Sequence, residues 1–138
     1  MTDRRIENVP ADELAEELAQ RNGTLQSIMS FMSVAPLPAF LKDANGRVLF
    51  INGRGEELFG MSADDMRGKT FPEIFRIERP EMIRGIKVQD RKVLTSPTPL
   101  VFIDHFLPER GAVRFSTIKF RLALEFGDEI IGAFAVKL

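Results

Sequence analysis

The sequence contains no cysteine. This excludes a disulfide framework, a thiolate zinc site and a cysteine nucleophile. A flavin cofactor that bonds to a cysteine is not expected for the same reason. Tryptophan and tyrosine are also absent, whereas phenylalanine occurs 12 times in 138 residues. We therefore expect a core rich in phenylalanine, with few polar aromatic groups.

The sequence also lacks an excess of charge of either sign. Nineteen basic and 20 acidic residues give a formal net charge of −1, which provides no electrostatic case for binding nucleic acid. It has no basic amphipathic stretch typical of a membrane surface, no apolar run long enough to span a bilayer, and no secretory signal. We therefore expect a cytoplasmic protein without nucleic-acid or membrane partners.

An amphipathic pattern over residues 10–35 predicts a helix that ends before Pro36 and Pro38. With Arg21 in the one missing position, its apolar residues follow spacings of three and four, as in a coiled coil. They are Ala11, Leu14, Leu18, Leu25, Ile28, Met32 and Ala35. Gly23 interrupts the pattern, so Thr24 could cap a second helix. We predict that residues 1–35 form a dimerisation or signalling helix; the alternative is a helix that packs on its own domain.

Residues 36–138 form the second predicted unit. Turn residues and stretches of strand or helix pattern alternate along it. The predicted strands are 39–42, 47–51, 100–106, 112–122 and 129–138, and the predicted helices are 54–59, 62–66, 71–75 and 80–94. This order predicts an α+β fold with a five-stranded antiparallel sheet and helices grouped on one face, preceded by the N-terminal helix.

An ordered set of short motifs covers about residues 36–138. The motifs are Pro38–Asp43, Asn45–Val48, Asn52, Glu56–Gly60, Asp64–Met66, Gly68–Thr70, Lys119–Leu122, Gly127-Asp128 and Ile131-Gly132. Each is weak alone, but together, in this order and spacing, they resemble the PAS family of sensory domains. Arg121 departs from the family pattern, in which many members have proline at this position.

The resemblance implies a module that binds a small ligand or a partner and regulates an attached output domain. We expect a homodimeric bacterial regulator of the two-component type, with a histidine kinase or cyclic-dinucleotide enzyme as output. Because the sequence ends at Leu138, inside the last predicted strand, we expect the output domain to lie outside this chain. The alternative is an interaction or dimerisation scaffold with a filled core and no ligand.

We expect no enzymatic activity in the chain itself. Asp104 and His105 are adjacent on a predicted strand, so they point to opposite faces and do not form an acid–base pair. A small cone-shaped α+β enzyme is a third hypothesis, but in such folds long helices normally precede the sheet.

The resemblance places a ligand pocket between the sheet and the helices. Strand alternation puts Leu41, Phe50 and Asn52 on one face. The candidate pocket residues are Leu41, Phe50, Asn52, Phe59, Met66, Phe75, Met82, Ile83, Ile86, Phe102 and Phe115. Their character predicts an apolar lining, suited to a fatty-acid-like or aromatic ligand. The alternative is that they fill a closely packed core.

Large and small residues alternate on the last strand. By the resemblance, Ala133 and Ala135 face inward, which leaves Phe134, Val136 and Leu138 on the outer face in need of a cover. The candidate interface therefore comprises Leu14, Leu18, Leu25, Ile28, Met32, Phe134, Val136 and Leu138.

Neither haem nor a metal ion is expected. His105 is the only histidine, and it lies outside the 81–94 helix, where haem-binding relatives carry their ligand.

Overall fold

The computed structural model describes residues 23–106, 113–124 and 127–138. The helices are α1 (Gly23–Val34), α2 (Gly53–Phe59), α3 (Ala63–Met66), α4 (Phe71–Ile74) and α5 (Pro80–Thr95). The strands are β1 (Ala39–Asp43), β2 (Val48–Ile51), β3 (Leu100–Phe106), β4 (Val113–Ala123) and β5 (Glu129–Lys137). They form one antiparallel sheet in the order β2-β1-β5-β4-β3, which confirms the predicted fold class.

The last strand joins the two halves of the sheet. β5 pairs with β1 on one side, where Ala133 lies opposite Phe40, and with β4 on the other, where Phe134 lies opposite Ile118. Helices α2–α5 cover one face of the sheet, called here the inner face, and α1 covers part of the opposite, outer face. A shift of β5 would therefore change the packing on both faces of the sheet.

Side-chain caps fix the short helices of the inner face. The Asn52 side chain accepts a hydrogen bond from the Gly55 amide at the start of α2, and Gly60 ends that helix with a φ of 66°. Ser62 caps α3 by accepting from the Asp65 amide. A reciprocal capping box between Thr70 and Glu73 begins α4 and was not among the predicted features.

A β-bulge in the first hairpin decides which residues face the helices. Leu41 pairs with Phe50, but Lys42 pairs with Val48, so Leu49 is the extra residue. As a result Leu49 and Phe50 both contribute to the outer core together with Leu41, whereas Phe40 and Val48 contribute to the inner core. The predicted placement of Leu41 and Phe50 in a pocket under the helices is therefore wrong.

Helix α1 packs on the outer face of its own sheet. Leu25 and Met32 are almost fully buried in a cluster with Leu41, Leu49 and Ile130. The Phe31 and Phe134 rings meet edge to face, with centroids 6.1 Å apart. Leu25 and Met32 are thus used within the chain and are not available to a partner helix.

The rest of the predicted heptad is divided between the described and the undescribed parts of the chain. Ile28 is half-buried against the outer core, whereas Leu14 and Leu18, with the whole of 1–22, lie outside the described residues. None of the helices in the described ranges is both long and apolar enough to cross a membrane.

One buried asparagine connects α1, β1 and α2. The Asn52 Oδ1 atom accepts hydrogen bonds from the Ala39 amide at 3.0 Å and from the Gly55 amide at 2.9 Å. Its Nδ2 donates to the carbonyl oxygens of Met32 and Leu37, both at 2.8 Å. All four bonds go to main-chain groups at element ends, so this one side chain fixes how three elements meet.

Replacing this asparagine is expected to destabilise the whole domain. Asn52→Ala removes a helix cap and leaves buried main-chain groups without partners, so the free energy of unfolding should fall by about 3 kcal/mol. Asn45→Ala is the matched control, because Asn45 is exposed in the β1–β2 turn and should change stability by less than about 0.5 kcal/mol. Equal urea midpoints for the two variants would contradict the role given to Asn52.

Candidate functional site

A cavity of about 350 Å³ lies between α5 and the inner face of the sheet. Its wall combines apolar side chains of α4, α5 and the loop between them with polar side chains of β1, β3, β4 and α5. The lining residues are Lys42, Phe71, Ile77, Met82, Gly85, Ile86, Gln89, Ile103, Asp104, His105 and Lys119. The wall therefore has an apolar side and a charged side.

Three elements meet in a polar network on the charged side. The Gln89 side chain of α5 donates to Asp104 Oδ1 at 3.0 Å and accepts from Lys119 Nζ. Asp104 Oδ2 accepts from the Thr117 hydroxyl at 2.6 Å and lies 3.2 Å from Lys119 Nζ. Both Asp104 oxygens are thus satisfied, and the network ties α5 to β3 and β4.

Burial and charge shift the pKa values of this pair in ways that can be traced to named neighbours. Burial alone would raise the pKa of Asp104, but the Lys119 charge and hydrogen bonds from Gln89, Thr117 and Lys119 together outweigh it, so the pKa lies below the ordinary 3.8. Burial lowers the pKa of Lys119 below its ordinary value; the charge of Lys42 adds to this lowering, and that of Asp104 opposes it.

A second buried lysine, Lys42 of β1, stands on the same wall. Its Nζ lies 2.6 Å from Asp90 Oδ1 of α5, and the two side chains are only 1% and 10% exposed. The contact is short but not aligned as a hydrogen bond, so Asp90 Oδ1 accepts none among the described residues. Lys42 Nζ also lies 5.3 Å from the centre of the Phe71 ring.

Lys42 belongs to two neighbouring cavities. A second cavity, of about 270 Å³, lies between α5 and the β1–β2 turn and shares Lys42, Phe71 and Ile86 with the first. A third, of about 480 Å³, opens beyond Asp90 and is bordered by the exposed Lys87 and Arg91. Space thus extends along both sides of α5.

The structure brings only some of the predicted pocket residues to a cavity. Met82 and Ile86 line the first cavity, and Ile83 joins Ile86 in the second. Phe102 lies against Lys119, whose Nζ is 5.4 Å from the centre of its ring, and Phe115 is buried on β4.

The remaining predicted pocket residues lie elsewhere. Phe59, Met66 and Phe75 pack into the inner core with Phe40 and Phe71. Their side chains fill this core and do not line a cavity named above. Leu41 and Phe50 are on the outer face, and Asn52 is the cap described above. The expected interface residues on and just after β5 differ in burial: Phe134 is half-buried, whereas Val136 and Leu138 are exposed.

The charged wall was missed by the sequence reasoning. A signal for part of it exists on α5, where Ile83, Ile86 and Val93 follow one helical stripe and Gln89-Asp90 occupies its third position, between Ile86 and Val93. Two polar residues on an otherwise apolar stripe indicate buried partners. No such signal marks Lys42 or Lys119, because strand alternation does not say which face is inner.

His105, the one histidine of the sequence, borders the cavity and is exposed. Within the described ranges, no three His, Cys, Asp or Glu side chains are grouped so that they could hold a metal ion.

Comparisons with known proteins agree on one fold. The sequence family described as the PAS fold matches residues 32–136. No curated protein sequence is significantly similar to the chain. The PAS domain of Bordetella pertussis BvgS is 20% identical, with a TM-score of 0.70 over 85% of this chain and 88% of that one.

Two further structures resemble the chain. The PAS domain of an HTR-like protein from Haloarcula marismortui is 16% identical, with a TM-score of 0.63 over 84% of this chain and 98% of that one. Phage VqmA, solved as a complex with DPO, is 21% identical with a TM-score of 0.64, and the match covers 84% of this chain but only 53% of VqmA. Since the family match takes in most of the sequence, the chain belongs to the PAS fold family.

Proposed function

We propose that this PAS domain is a sensory module that binds a small molecule in the cavity under α5 and regulates an attached output domain. The observation that carries the proposal is the charged wall of that cavity. Buried ion pairs add little to stability, because the cost of removing both charges from water offsets their attraction. A protein that needed only a filled core would gain more from apolar residues at Lys42 and Lys119.

The known relatives support a ligand of some kind. VqmA was solved in complex with DPO, so a protein with this fold holds a bound molecule. The cavity of about 350 Å³ falls within the range typical of small-molecule sites. Its mixed wall replaces the purely apolar lining expected from the sequence.

The sheet offers a route by which binding would reach an output domain. Lys42 on the inner face of β1 is adjacent in sequence to Leu41, which packs against α1 on the outer face. β1 also pairs with β5, so movement at the cavity would reach α1 through packed side chains. A histidine kinase or a cyclic-dinucleotide enzyme is the output we propose.

A second candidate function, dimerisation, rests on the uncovered half of the outer face. Val101 pairs with Ile118 across β3 and β4, and Val136 lies two residues beyond Phe134 on β5. Val101, Ile118 and Val136 are 64%, 44% and 44% exposed, respectively. Apolar groups that lie together on an open sheet face are typical of a protein interface, and we propose a homodimer here.

Filling the cavity is expected to abolish ligand binding. A Cβ atom built on Gly85, which lines the cavity, would meet no other atom within 4 Å. Native mass spectrometry should show the wild-type chain with a small added mass that is lost on denaturation, and Gly85→Leu should reduce that fraction by about tenfold or more.

Gly53→Leu is the matched control for this experiment. Gly53 has equally open surroundings but does not line the cavity, so the added mass should persist. A wild-type chain with no added mass, or equal loss in both variants, would count against ligand binding at this cavity.

Charge placed on the open outer face is expected to separate the dimer. Ile118→Glu should weaken self-association by about 100-fold, because a carboxylate would be buried without a partner at the centre of the interface. Val88→Glu, at an exposed apolar residue of α5, should leave self-association unchanged. Light scattering over a range of concentrations measures the self-association of the wild type and of both variants, and a wild-type chain that remains monomeric would contradict the proposal.

The Asp104 network predicts a loss of stability in acid. A carboxyl group whose pKa is lower in the folded than in the unfolded state stabilises the fold above its unfolded pKa, and this contribution disappears as the pH falls through the folded pKa. Asp104→Asn should cost about 2 kcal/mol at about pH 7, because it removes the charge beside Lys119. The difference from wild type in urea unfolding should shrink below about pH 3.8; a difference independent of pH would refute the assignment.

A further inference from the structure

We infer that the molecule bound in this cavity is uncharged and presents an acceptor oxygen to Lys42 and an apolar or aromatic part to α4 and α5. The inference rests on the proposed function and adds the chemical class of its ligand. It follows from the charge balance of the wall, from the unused donors of Lys42 and from the apolar residues around them.

The charge balance of the wall favours a neutral ligand. Lys42 and Lys119 contribute two positive charges, and Asp90 and Asp104 contribute two negative charges at short distance. An added anion would leave one negative charge unbalanced beside these two buried pairs, and an added cation would do the same with the opposite sign. Lys87 and Arg91 stand nearby, but both are exposed, so solvent screens their charges.

Lys42 supplies the hydrogen-bond donors. An ammonium group has three N–H donors, and the one polar partner of Lys42 in the described ranges is Asp90, with an alignment that does not form a hydrogen bond. At least two donors of a side chain that is 1% exposed are therefore unused, and they border two cavities. A ligand oxygen placed here would accept a hydrogen bond from the ammonium group without displacing a hydrogen bond that is already formed.

Lys119 differs from Lys42 because its donors are engaged. It donates to Gln89 and lies beside Asp104, which the Thr117 hydroxyl and the Gln89 amide also contact. A ligand that bound Lys119 would first have to break this network. Lys42 is therefore the recognition residue that the structure assigns, and the Asp104 network serves as a fixed wall.

The surroundings of Lys42 define the rest of the ligand. The Phe71 ring lies 5.3 Å from Nζ, and Ile77, Met82 and Ile86 continue the wall away from it. These groups offer no hydrogen bonds, so they favour a ring or a short alkyl chain. Small neutral amides and ketones that carry a ring or a short alkyl chain share these features.

Three probes with the same ring separate the classes. Benzamide is neutral and has an acceptor oxygen, benzoate has acceptor oxygens but is an anion at neutral pH, and toluene has neither. Each is titrated into the isotope-labelled full chain and followed by the amide resonances of Ile86 and Gln89. Benzamide should bind about tenfold more tightly than benzoate and toluene, as expected for one satisfied buried donor.

Variants of two lysines identify the residue responsible. Lys42→Met should reduce benzamide binding to the level of toluene, whereas Lys92→Met, at an exposed position of α5 that lines none of the three cavities, should leave it unchanged. Lys42→Met combined with Asp90→Leu removes both charges of the pair. It repeats the test without leaving Asp90 buried alone, and it should give the same loss if Lys42 is the donor.

The outcomes distinguish this inference from the function on which it rests. Benzoate or toluene binding as tightly as benzamide, or a benzamide preference that survives Lys42→Met, would overturn the ligand class but leave a small-molecule site in place. No binding of any of the three probes would overturn both, because the cavity would then exclude even a single ring.

Discussion

The four hydrogen bonds of Asn52 hold together the part of the structure from which the rest is built. They end on main-chain groups of α1, β1, α2 and the segment between α1 and β1, so an outer helix, the sheet and an inner helix meet at one buried side chain. No apolar contact could set these three directions, because packing forces are not directional. The amide has both a donor and an acceptor end, which suits a junction where carbonyl and N–H groups converge.

Beyond this junction the two halves of the inner face are stabilised in different ways. Over β1 and β2, Phe40, Phe59 and Phe71 pack with ring centroids 5.0 to 5.9 Å apart and fill the space. Over β3 and β4, the cover in the described part of the chain is α5. Its Gln89 binds Asp104 and Lys119, its Asp90 pairs with Lys42 of β1, and its Val93 is buried. Polar attachment contributes less stability than packing, but it leaves the cavity for which we propose ligand binding.

Local chemistry explains which features were predictable from the sequence. The caps at Asn52 and Ser62, the glycine at the end of α2 and most element bounds depend on residues within four positions, and they appear where expected to within one or two residues. The fold class followed from the order of those elements. The described part of the predicted N-terminal helix also forms, although its apolar face packs on the sheet.

The composition of the site was less predictable because it depends on long-range pairing. Alternation along β1 puts Leu41 on the outer face and Lys42 on the inner face, and one extra residue at Leu49 puts Phe50 on the outer face as well. The partners of the lysines, Asp90 and Asp104, are 48 and 15 positions away along the chain, which is the difference in residue number in each pair. A lysine in a strand is normally taken as a surface residue, and only its distant carboxylate shows otherwise.

The alternation along β5 has a consequence for how such a domain changes over generations. Ala133 and Ala135 are buried with the inner face, while Phe134 and Val136 belong to the outer one. Substitutions that change the packing of the inner face and substitutions that change the outer face therefore fall on different residues of the same strand. A lineage can alter one face of the domain while it keeps the other, because the sheet separates the two sets of side chains.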